Sequence, residues 1–597
     1  MFGGKLNLAA GATRIAAQVA EGGTVPIKDS EYLADIARRV HASWPAGLER
    51  EVVYPLGELP VSTYLRRRAA EAPETIAVSF YGYDMTFAQL DEQSDRFAWY
   101  LRASGVQLGD RVAVMLPNCP QFFVVFYGVL KACAVLVPVN PMFKEVELAY
   151  ELADSGALTL VFWDALASVV DEVRPESRVE RYLSVSIGEC LPEVPAYPVP
   201  TGLDAPPAHP SFATPLFEAL AGAVRTELPE PDVDLLAALN YTGGTTGMPK
   251  GCEHSQRHMV YTAASAIQTQ RLEEGVSLVY IPIFWIAGED AGLLIPVVAG
   301  TRVVLLARWD PQAVLAAIEL YGVTAMTGTV DNYVELMDLG NPDGKSLSTL
   351  RYAMAMSFVK RLNPEVRRRW REFSSDSCLL REAAYGMTET HTIDTFTLGF
   401  QGADADLMSE PPVFCGLPMP GTRFKIIDFE SGELCQVGVE GEICVNSPSV
   451  TSGYWGNPEA TRAALRDGWL HSGDAGLIDR EGFLHYMGRR KEMIKVNGMS
   501  VFPGELEVLL GAYPGLESVA VVGVPDPAKG EIPVAFVKPA PGAVLDAAEI
   551  EQWCRSRFAG YKVPKVRVAS QLPMTTTGKV RKELLREQLM AEPPAAT

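Results

Sequence analysis

Residues 241–251 have the sequence Tyr241-Thr-Gly-Gly-Thr-Thr-Gly-Met-Pro-Lys-Gly251, with three glycines, three threonines and a lysine in the first ten positions. The apolar run from Leu235 to Leu239 predicts a strand before this stretch, and residues 254–268 predict a helix after it. Glycines let a backbone approach a ligand closely with its N–H groups exposed, and hydroxyls and a lysine add donors and positive charge. The stretch therefore predicts a loop that binds a polyphosphate.

The spacing within this loop excludes two common nucleotide-binding motifs. A Walker A loop has four residues between its first glycine and its Gly-Lys pair, whereas Lys250 follows Pro249. The Gly-x-Gly-x-x-Gly pattern of dinucleotide-binding folds is also missing from this stretch. The alternative is a flexible Gly/Thr loop without a ligand.

Composition limits the remaining function classes. A chain of 597 residues exceeds one ordinary domain, and 48% hydrophobic with 21% charged residues is typical of a globular protein. The formal net charge of −21 excludes a general nucleic-acid-binding surface. An anionic nucleotide would therefore need a local positive site.

Cysteine usage and hydropathy indicate the compartment. The nine cysteines form no Cys-x-x-Cys pair and no short Cys/His cluster, and Cys435 and Cys444 are the closest two. This predicts reduced thiols and no zinc site. The N-terminus lacks a continuous apolar segment typical of a signal peptide, and no apolar run approaches the roughly 18 residues of a membrane span. We expect a cytoplasmic protein without a membrane span.

Alternating strand and helix patterns from Val61 to about residue 330 predict an α/β fold. Apolar runs at 76–80, 111–116 and 135–139 read as strands buried on both faces, which is typical of parallel sheets. Residues 31–42 have helical spacing, and three interpretations stay open for them: a dimer contact, a docking arm or a packed extension.

Three further motifs carry residues suited to nucleotide chemistry. In Tyr385-Gly-Met-Thr-Glu-Thr390 an aromatic ring could stack on a purine, and the Thr-Glu pair could serve phosphate and Mg²⁺. In Gly468-Trp-Leu-His-Ser-Gly-Asp474 the carboxylate could accept both ribose hydroxyls. In Pro573-Met-Thr-Thr-Thr-Gly-Lys579 the ammonium could stabilise charge on a phosphorus centre. The alternatives are an exposed loop, a turn aspartate and a solvated lysine.

The four motifs, in this order, resemble those of the adenylate-forming superfamily, and among its members the acyl-CoA synthetases, which include fatty-acid–CoA ligases. The resemblance covers nearly all of the chain after about residue 60. It implies an α/β fold with a large multi-subdomain N-terminal body of mostly parallel sheets and a small mobile α+β C-terminal lid. The implied boundaries are an extension at 1–55, an AMP-binding body at 56–487 and a lid at 488–597, with the hinge at Lys491.

The resemblance also implies the roles of individual residues. Catalysis is implied for Lys579, Glu389 and Lys250, the metal for Glu389 and Thr246, and CoA binding for Lys495 and Gly498. The residues implied to bind ATP or AMP are Thr242, Gly243, Gly244, Thr245, Thr246, Gly247, Lys250, Ser357, Phe358, Tyr385, Gly386, Met387, Thr388, Asp474, Tyr486, Arg489 and Lys579.

The implied reaction uses ATP, Mg²⁺ and CoA. A carboxylic acid and MgATP form an acyl-adenylate and pyrophosphate, and the acyl group then passes to CoA, with release of AMP. Catalysis of this kind depends on positioning and electrostatics. Two alternatives stay open, an acyl-AMP ligase that loads a carrier protein and a non-catalytic nucleotide-binding homologue. The expected partners are small molecules, and a homodimer is left open.

The acyl pocket is implied to include Trp285, Ala355 and Met356. Trp285 stands where relatives often have histidine and cannot hold an amine, which argues against an α-amino acid substrate. Fatty acids are favoured over aryl and steroid-like acids. Glu289, Asp290 and Asp331 are acidic at positions that are often apolar in relatives. We expect these three side chains to lie at solvated helix ends. The alternative is that they contact a hydroxyl or amine of the substrate.

We expect the substitution Lys579→Ala to slow acyl-adenylate formation by about a hundredfold or more, because the lysine would stabilise charge that develops only in that step. Thioester formation from supplied acyl-adenylate should be kept. Pyrophosphate release and thioester yield measure the two half-reactions separately. Equal losses in both would contradict the assignment.

Overall fold

The computed structural model describes residues 29–242, 248–341, 346–357, 360, 362–400, 413–496, 499–526, 529–558, 560–575 and 579–591. Strands and helices alternate through the first half of this range, as the sequence predicts.

The strands are numbered in chain order. They are β1 (Ile76–Phe80), β2 (Tyr83–Thr86), β3 (Arg111–Met115), β4 (Val135–Pro138), β5 (Thr159–Trp163), β6 (Arg181–Val185), β7 (Thr214–Pro215), β8 (Leu236–Tyr241), β9 (Gly251–Ser255), β10 (Val276–Val279), β11 (Arg302–Leu305), β12 (Ala325–Thr329), β13 (Tyr352–Met356), β14 (Leu380–Glu382), β15 (Thr395–Phe396), β16 (Val413–Pro418), β17 (Arg423–Ile427), β18 (Gly441–Asn446), β19 (Leu465–Arg466), β20 (Trp469–Ile478), β21 (Leu484–Arg489), β22 (Ile494–Val496), β23 (Met499–Val501), β24 (Leu516–Asp526), β25 (Gly530–Pro539) and β26 (Lys565–Val568).

The helices are numbered in the same way. They are α1 (Asp29–Ser43), α2 (Val61–Glu71), α3 (Phe87–Ala103), α4 (Pro120–Lys131), α5 (Glu145–Ser155), α6 (Ala167–Val173), α7 (Leu216–Gly222), α8 (Gln256–Gln270), α9 (Ile286–Gly288), α10 (Ile295–Ala299), α11 (Pro311–Tyr321), α12 (Val330–Leu339), α13 (Pro364–Ser374), α14 (Pro458–Ala464), α15 (Pro503–Leu510), α16 (Ala547–Arg555) and α17 (Lys582–Ala591). A π-helical segment, Glu289–Leu294, joins α9 to α10.

Two seven-stranded sheets form the core of the body. Their strand orders are β14-β13-β12-β10-β11-β1-β2 and β7-β6-β5-β3-β4-β8-β9. All pairs are parallel except β1 with β2 and β8 with β9, which lie at sheet edges. Helix α4 contacts strands of both sheets, and all twelve of its residues are buried. The predicted parallel α/β architecture is therefore confirmed, with its core between the two sheets.

A third, antiparallel sheet completes the body. Its order is β15-β16-β21-β20-β18-β17, with β19 beside β20. The helix predicted at residues 31–42 is α1, and it packs on this sheet through Tyr32 and Ile36, against a core that includes Ile426 and Ile443. Within this chain, α1 is therefore a packed extension.

The C-terminal residues form a smaller α+β unit. Its sheet has the order β23-β22-β25-β24, and β26 pairs in parallel with β25. Lys582 ties α17 to this unit, because its ammonium lies 2.8 Å from Glu507 and 3.2 Å from Glu492. Phe502 packs in one cluster with Ala475 and Met487 of the body sheet.

The structure corrects the element predicted after the glycine-rich loop. Residues 251–255 form β9, antiparallel to β8, and α8 begins only at Gln256. The hydroxyl of Ser255 accepts a hydrogen bond from the backbone N–H of His258 and caps the helix. The helix prediction from His254 was wrong by two residues, because pairing with β8 keeps the backbone extended.

Two further features of the described residues are the state of the cysteines and the length and polarity of the helices. All nine cysteines fall within the described ranges, and each is buried and outside any disulfide. In the part of the chain that the structure describes, every helix is too short or too polar to cross a bilayer.

We expect Lys131→Met to lower the free energy of unfolding by about 2–3 kcal/mol, because it leaves two neighbouring carboxylates without their buried cation. The Lys131 ammonium lies 2.6 Å from Asp91 and 2.7 Å from Asp95, whose side chains keep 19% and 22% of their surface exposed. Urea denaturation measures the loss.

The matched control is Arg96→Met, which removes an exposed ion pair with Glu92 and should cost less than about 1 kcal/mol. Equal shifts of the unfolding midpoint for both variants would contradict the assigned importance of Lys131.

Candidate active site

Asp474 and Arg489 are direct cross-strand neighbours on β20 and β21. The Nε of Arg489 lies 3.3 Å from Oδ1 of Asp474, and the hydroxyl of Tyr385 donates a hydrogen bond of 2.9 Å to Oδ2. The structure thus brings together three residues that the resemblance assigns to nucleotide binding. Only 4% of Asp474 is exposed.

Burial raises the pKa of Asp474 to about 6, against the opposing effects of the Arg489 charge and the Tyr385 hydrogen bond. The carboxylate is therefore ionised at neutral pH but close to its titration range. Its Oδ1 accepts no hydrogen bond from the described residues, although Arg489 is near. A buried carboxylate oxygen in this state is suited to a donor from a ligand.

Tyr385 is itself buried. Its ring centroid lies 6.0 Å from that of Tyr486 at an interplanar angle of 37°, and it packs beside Phe424. The next residue, Gly386, has no room for a side chain, since a Cβ there would lie 1.2 Å from the carbonyl oxygen of Thr392. The buried Tyr385 ring therefore holds its hydroxyl against Asp474 and orients that carboxylate, a contact that the sequence did not predict.

Glu389 lies in the short 3₁₀ turn Thr388–Thr390, two residues beyond Met387. The hydroxyl of Tyr454 donates a hydrogen bond of 2.8 Å to Oε1 of Glu389. The ring of the same tyrosine lies 4.1 Å from the Nζ of Lys250, a cation–π contact. Tyr454 thus joins the predicted metal ligand to the predicted phosphate-binding lysine, and sequence reasoning missed it.

Backbone pairing holds Tyr454 in this place. Residues 451–455 run beside β9, where the N–H of Glu253 donates to the carbonyl of Gly453 and the N–H of Trp455 donates to that of Gly251. The N–H of Thr451 donates to the carbonyl of Glu389 at 2.7 Å. The available signal was an aromatic pair directly after a glycine, Gly453-Tyr-Trp455.

The base of the glycine-rich loop is closed by Thr242 and Lys250. The N–H of Thr242 donates to the carbonyl of Lys250 at 2.9 Å, and the N–H of Lys250 lies 3.3 Å from the hydroxyl of Thr242. The loop residues proper lie outside the described residues, and with them the predicted metal contact of Thr246; they are Gly243, Gly244, Thr245, Thr246 and Gly247.

Lys579 of the C-terminal unit lies within electrostatic reach of the body. Desolvation and the charge of Arg489 lower its pKa, while Asp474 acts in the opposite direction. Lys579 closes a turn with Thr575, whose hydroxyl accepts its N–H at 2.9 Å. Lys579 is an exposed residue of this unit. The charges of Arg489 and Asp474 nevertheless act on its ammonium.

The residues predicted for the hinge and for CoA binding follow Arg489 in the chain. Desolvation, followed by the charge of Arg489, lowers the pKa of Lys491, which sits in the 3₁₀ turn Arg490–Glu492 between the two units. The backbone N–H of Lys495 on β22 donates to Glu531 at 2.8 Å. Gly498 falls outside the described residues.

The predicted acyl-pocket residues Ala355 and Met356 end β13. The adjacent Ser357 donates two hydrogen bonds to Glu382, from its N–H at 3.2 Å and from its hydroxyl at 2.7 Å. Sequence reasoning missed Glu382, and Phe358 lies outside the described residues. Trp285 is half-buried before α9, with its ring 5.4 Å from that of Phe284.

Two of the three predicted helix-end acids are in fact buried. Glu289 and Asp290 are 0% and 1% exposed, respectively, and face His391, so the prediction of solvated helix ends was wrong for both. Asp331 is half-buried in the first turn of α12, where it accepts the N–H of Lys360 at 3.3 Å.

One group in the described residues has the spacing of metal ligands, although the sequence shows no short Cys/His cluster. The Nδ1 of His471 lies 3.2 Å from Glu442 and 3.5 Å from the thiol of Cys444. The Arg466 guanidinium lies 4.0 Å from Glu442 and disfavours a further cation. The other oxygen of Glu442 accepts the N–H of Gly473 at 3.0 Å and so supports the turn before Asp474.

Comparison with known proteins gives matches over most of the chain. A family model described as "AMP-binding enzyme" matches residues 65–455, and one described as "AMP-binding enzyme C-terminal domain" matches residues 505–579. The long-chain-fatty-acid–CoA ligase of Bacillus subtilis (strain 168) is 33% identical over 564 residues, which is 92% of this chain and 97% of that protein.

Two further relatives extend the comparison. A feruloyl-CoA synthase of Amycolatopsis sp is 34% identical over 535 residues, covering 89% of this chain and 99% of that protein. The crystal structure of ATP-bound MatB from Rhodopseudomonas palustris superposes with a TM-score of 0.75 at 26% identity, covering 89% of this chain and 99% of the other.

We expect nucleotide affinity to be constant above about pH 7 and to weaken as the pH falls through about 6, where Asp474 takes up a proton and loses acceptor capacity. Fluorescence titration with a labelled AMP measures the affinity. Asp474→Asn should bind weakly at every pH.

Asp428→Asn is the control, because Asp428 lies in the same sheet region and backbone N–H groups hold its pKa below the ordinary range. It should keep the wild-type pH profile. A profile unchanged by Asp474→Asn would contradict the prediction.

Proposed function

Because this chain belongs to the AMP-binding enzyme family and is an ATP-dependent carboxylate–CoA ligase, we propose that the site around Asp474, Glu389 and Lys579 is where it forms the acyl-adenylate. The enzyme uses ATP, Mg²⁺ and CoA, and it joins a carboxylic acid to CoA. The observation that carries the proposal is the buried Asp474 carboxylate, which Arg489 and Tyr385 hold while its Oδ1 accepts no hydrogen bond from the described residues.

Asp474 is proposed to bind the ribose of the nucleotide. Its buried Oδ1 has room for a hydrogen bond, and a ribose hydroxyl is a donor of the right kind. Arg489 keeps the carboxylate ionised, and Tyr385 holds its other oxygen. Tyr486, beside Tyr385, is proposed to pack against the adenosine.

Glu389 fits the needs of Mg²⁺, which prefers carboxylate oxygen ligands together with phosphate oxygens. It is half-buried, and Tyr454 fixes one of its oxygens. When bound, the ion would neutralise charge on the phosphates. Lys250, held over the Tyr454 ring, is proposed to hold the β- and γ-phosphates together with the glycine-rich loop.

The chemistry then follows from position and charge. A substrate carboxylate oxygen attacks the α-phosphorus, the bond to the bridging oxygen breaks, and pyrophosphate leaves. Lys579 is proposed to stabilise negative charge on the α-phosphate during this step, and no protein nucleophile is needed. In the second half-reaction the CoA thiolate attacks the acyl carbon, and AMP leaves.

We propose that the chain divides into an N-terminal extension at 1–55, an AMP-binding body at 56–487 and a mobile lid at 488–597. Lys491 between β21 and β22 is the proposed hinge, because a short 3₁₀ turn is a suitable place to absorb a backbone rotation. Rotation of the lid would withdraw Lys579 and present the face of Lys495 and Gly498 to CoA.

A fatty acid is the proposed substrate class. Support comes from the similarity to a long-chain-fatty-acid–CoA ligase and from the apolar side chains Trp285 and Met356. The similarity to a feruloyl-CoA synthase makes an aryl acid the second candidate. A cytoplasmic location is proposed because the nine cysteines form no disulfide, and a homodimer is a further proposal that light scattering tests.

We expect pyrophosphate release with MgATP to be fastest with fatty acids in a panel from acetate to palmitate that also holds benzoate, ferulate and a bile acid. CoA should convert the bound adenylate to a thioester that mass spectrometry detects. Faster turnover with ferulate would overturn the substrate proposal, and release without thioester would indicate a carrier protein as the acceptor.

A further inference from the structure

A buried group of charged side chains adjoins the turn that carries the proposed magnesium ligand. We name Glu289, Asp290 and His391 the ionic cluster. The Nδ1 of His391 lies 2.9 Å from Oδ1 of Asp290, and its Nε2 lies 3.6 Å from Oε1 of Glu289. The three residues are between 0% and 1% exposed, so the cluster is shielded from solvent.

The second oxygen of each carboxylate is also engaged. Oε2 of Glu289 accepts a hydrogen bond of 2.8 Å from the amide of Asn240, and Oδ2 of Asp290 accepts one of 2.6 Å from the hydroxyl of Thr392. The remaining oxygens, Oε1 of Glu289 and Oδ1 of Asp290, face His391, and the burial of both side chains places the carboxylates against protein groups.

The cluster connects segments that each enter the active site. Asn240 lies on β8, one residue before the glycine-rich stretch begins. His391 follows the turn that carries Glu389. His254 on β9 packs its ring 4.8 Å from that of His391, and its Nε2 lies 2.8 Å from the carbonyl oxygen of Thr388.

The same cluster reaches the acyl side. Glu289 begins the π-helical segment, and its backbone N–H donates a hydrogen bond of 2.8 Å to the carbonyl of Trp285. π-helical turns inside helices are frequent at functional sites. Glu289 therefore contacts the acyl segment through its backbone and, through its side chain, the strand that precedes the glycine-rich loop and the residue that follows the Glu389 turn.

The backbone after Glu389 needs such a restraint. His391 and Thr392 have φ values of 53° and 77°, in the left-handed region that costs energy for residues with a Cβ. The carbonyl of Thr392 also fills the space above Gly386. Ion pairs to His391 and the hydrogen bond from Thr392 hold this turn in one conformation.

A buried ionic group is a poor source of stability, because desolvation of the charges offsets much of their attraction. Its best-supported use is to fix one arrangement of the segments that it joins. Here those segments are the two strands around the phosphate loop, the Glu389 turn and the Trp285 segment.

We propose that the ionic cluster is a positioning unit that fixes the Glu389 carboxylate for Mg²⁺ and holds it in register with the acyl segment at Trp285. The inference rests on the proposed function, in that it takes Glu389 as the magnesium ligand. Glu289, Asp290 and His391 act through Glu389 and touch no substrate.

The test measures metal binding directly. Mn²⁺ replaces Mg²⁺ in the full-length enzyme bound to a non-hydrolysable ATP analogue, and electron paramagnetic resonance gives its dissociation constant. Asp290→Asn and Glu289→Gln keep the side-chain shape and remove a charge. Each should weaken Mn²⁺ binding about ten- to a hundredfold, the range for residues that orient a metal ligand.

Two further variants distinguish positioning from general stability. Lys131→Met breaks a buried ion pair elsewhere in the body and should lower the melting temperature while leaving Mn²⁺ binding unchanged. The double variant Asp290→Asn/His391→Gln should lose less free energy of Mn²⁺ binding than the sum of the losses in its two single variants. The reason is that both members of one ion pair are replaced together. If His391→Gln does not fold, the two isosteric variants alone decide the question.

Glu389→Gln separates this inference from the function that it rests on. If Glu389→Gln binds Mn²⁺ as tightly as the wild type, the proposed magnesium ligand is wrong. If Glu389→Gln weakens binding while Asp290→Asn and Glu289→Gln do not, the ionic cluster is a structural feature only and the present inference fails.

Discussion

The active site depends on one strand-like pairing, that of residues 451–455 with β9. This pairing joins the sheet that ends in β8 and β9 to the segment that follows β18 of the antiparallel sheet, and it places Tyr454 in contact with both Lys250 and Glu389. A single tyrosine then holds a cation with its ring and a carboxylate with its hydroxyl. Tyr454 therefore fixes the position of the ammonium relative to the carboxylate.

Much of this arrangement could be predicted from the sequence. The alternating apolar patterns predicted the parallel sheets, because buried strands leave a local signal. The family resemblance named Asp474, Arg489, Glu389 and Lys250 as site residues, and the structure pairs Asp474 with Arg489 and connects Glu389 to Lys250 through Tyr454.

The rest could not be predicted because its signal is spread over distant segments. Glu289 and Asp290 resemble the charged end of a helix until His391, about a hundred residues later, is known to face them. Glu382 and Tyr454 are ordinary residues in their local sequence, and only tertiary contacts with Ser357 and Glu389 distinguish them. The boundary error at His254 has a similar cause, since strand pairing overrode a helical pattern.

The packing of α1 has a consequence for how the chain folds during synthesis. Tyr32 and Arg39 contact Ile426 and Arg480, which lie 394 and 441 residues later in the chain. At ribosomal rates of about 5–20 residues per second, α1 is exposed for roughly 20 to 90 seconds before its partner strands exist. The apolar face of Tyr32 and Ile36 is therefore open to a chaperone throughout that interval, and a helix that is made early is among the last of the described elements to dock.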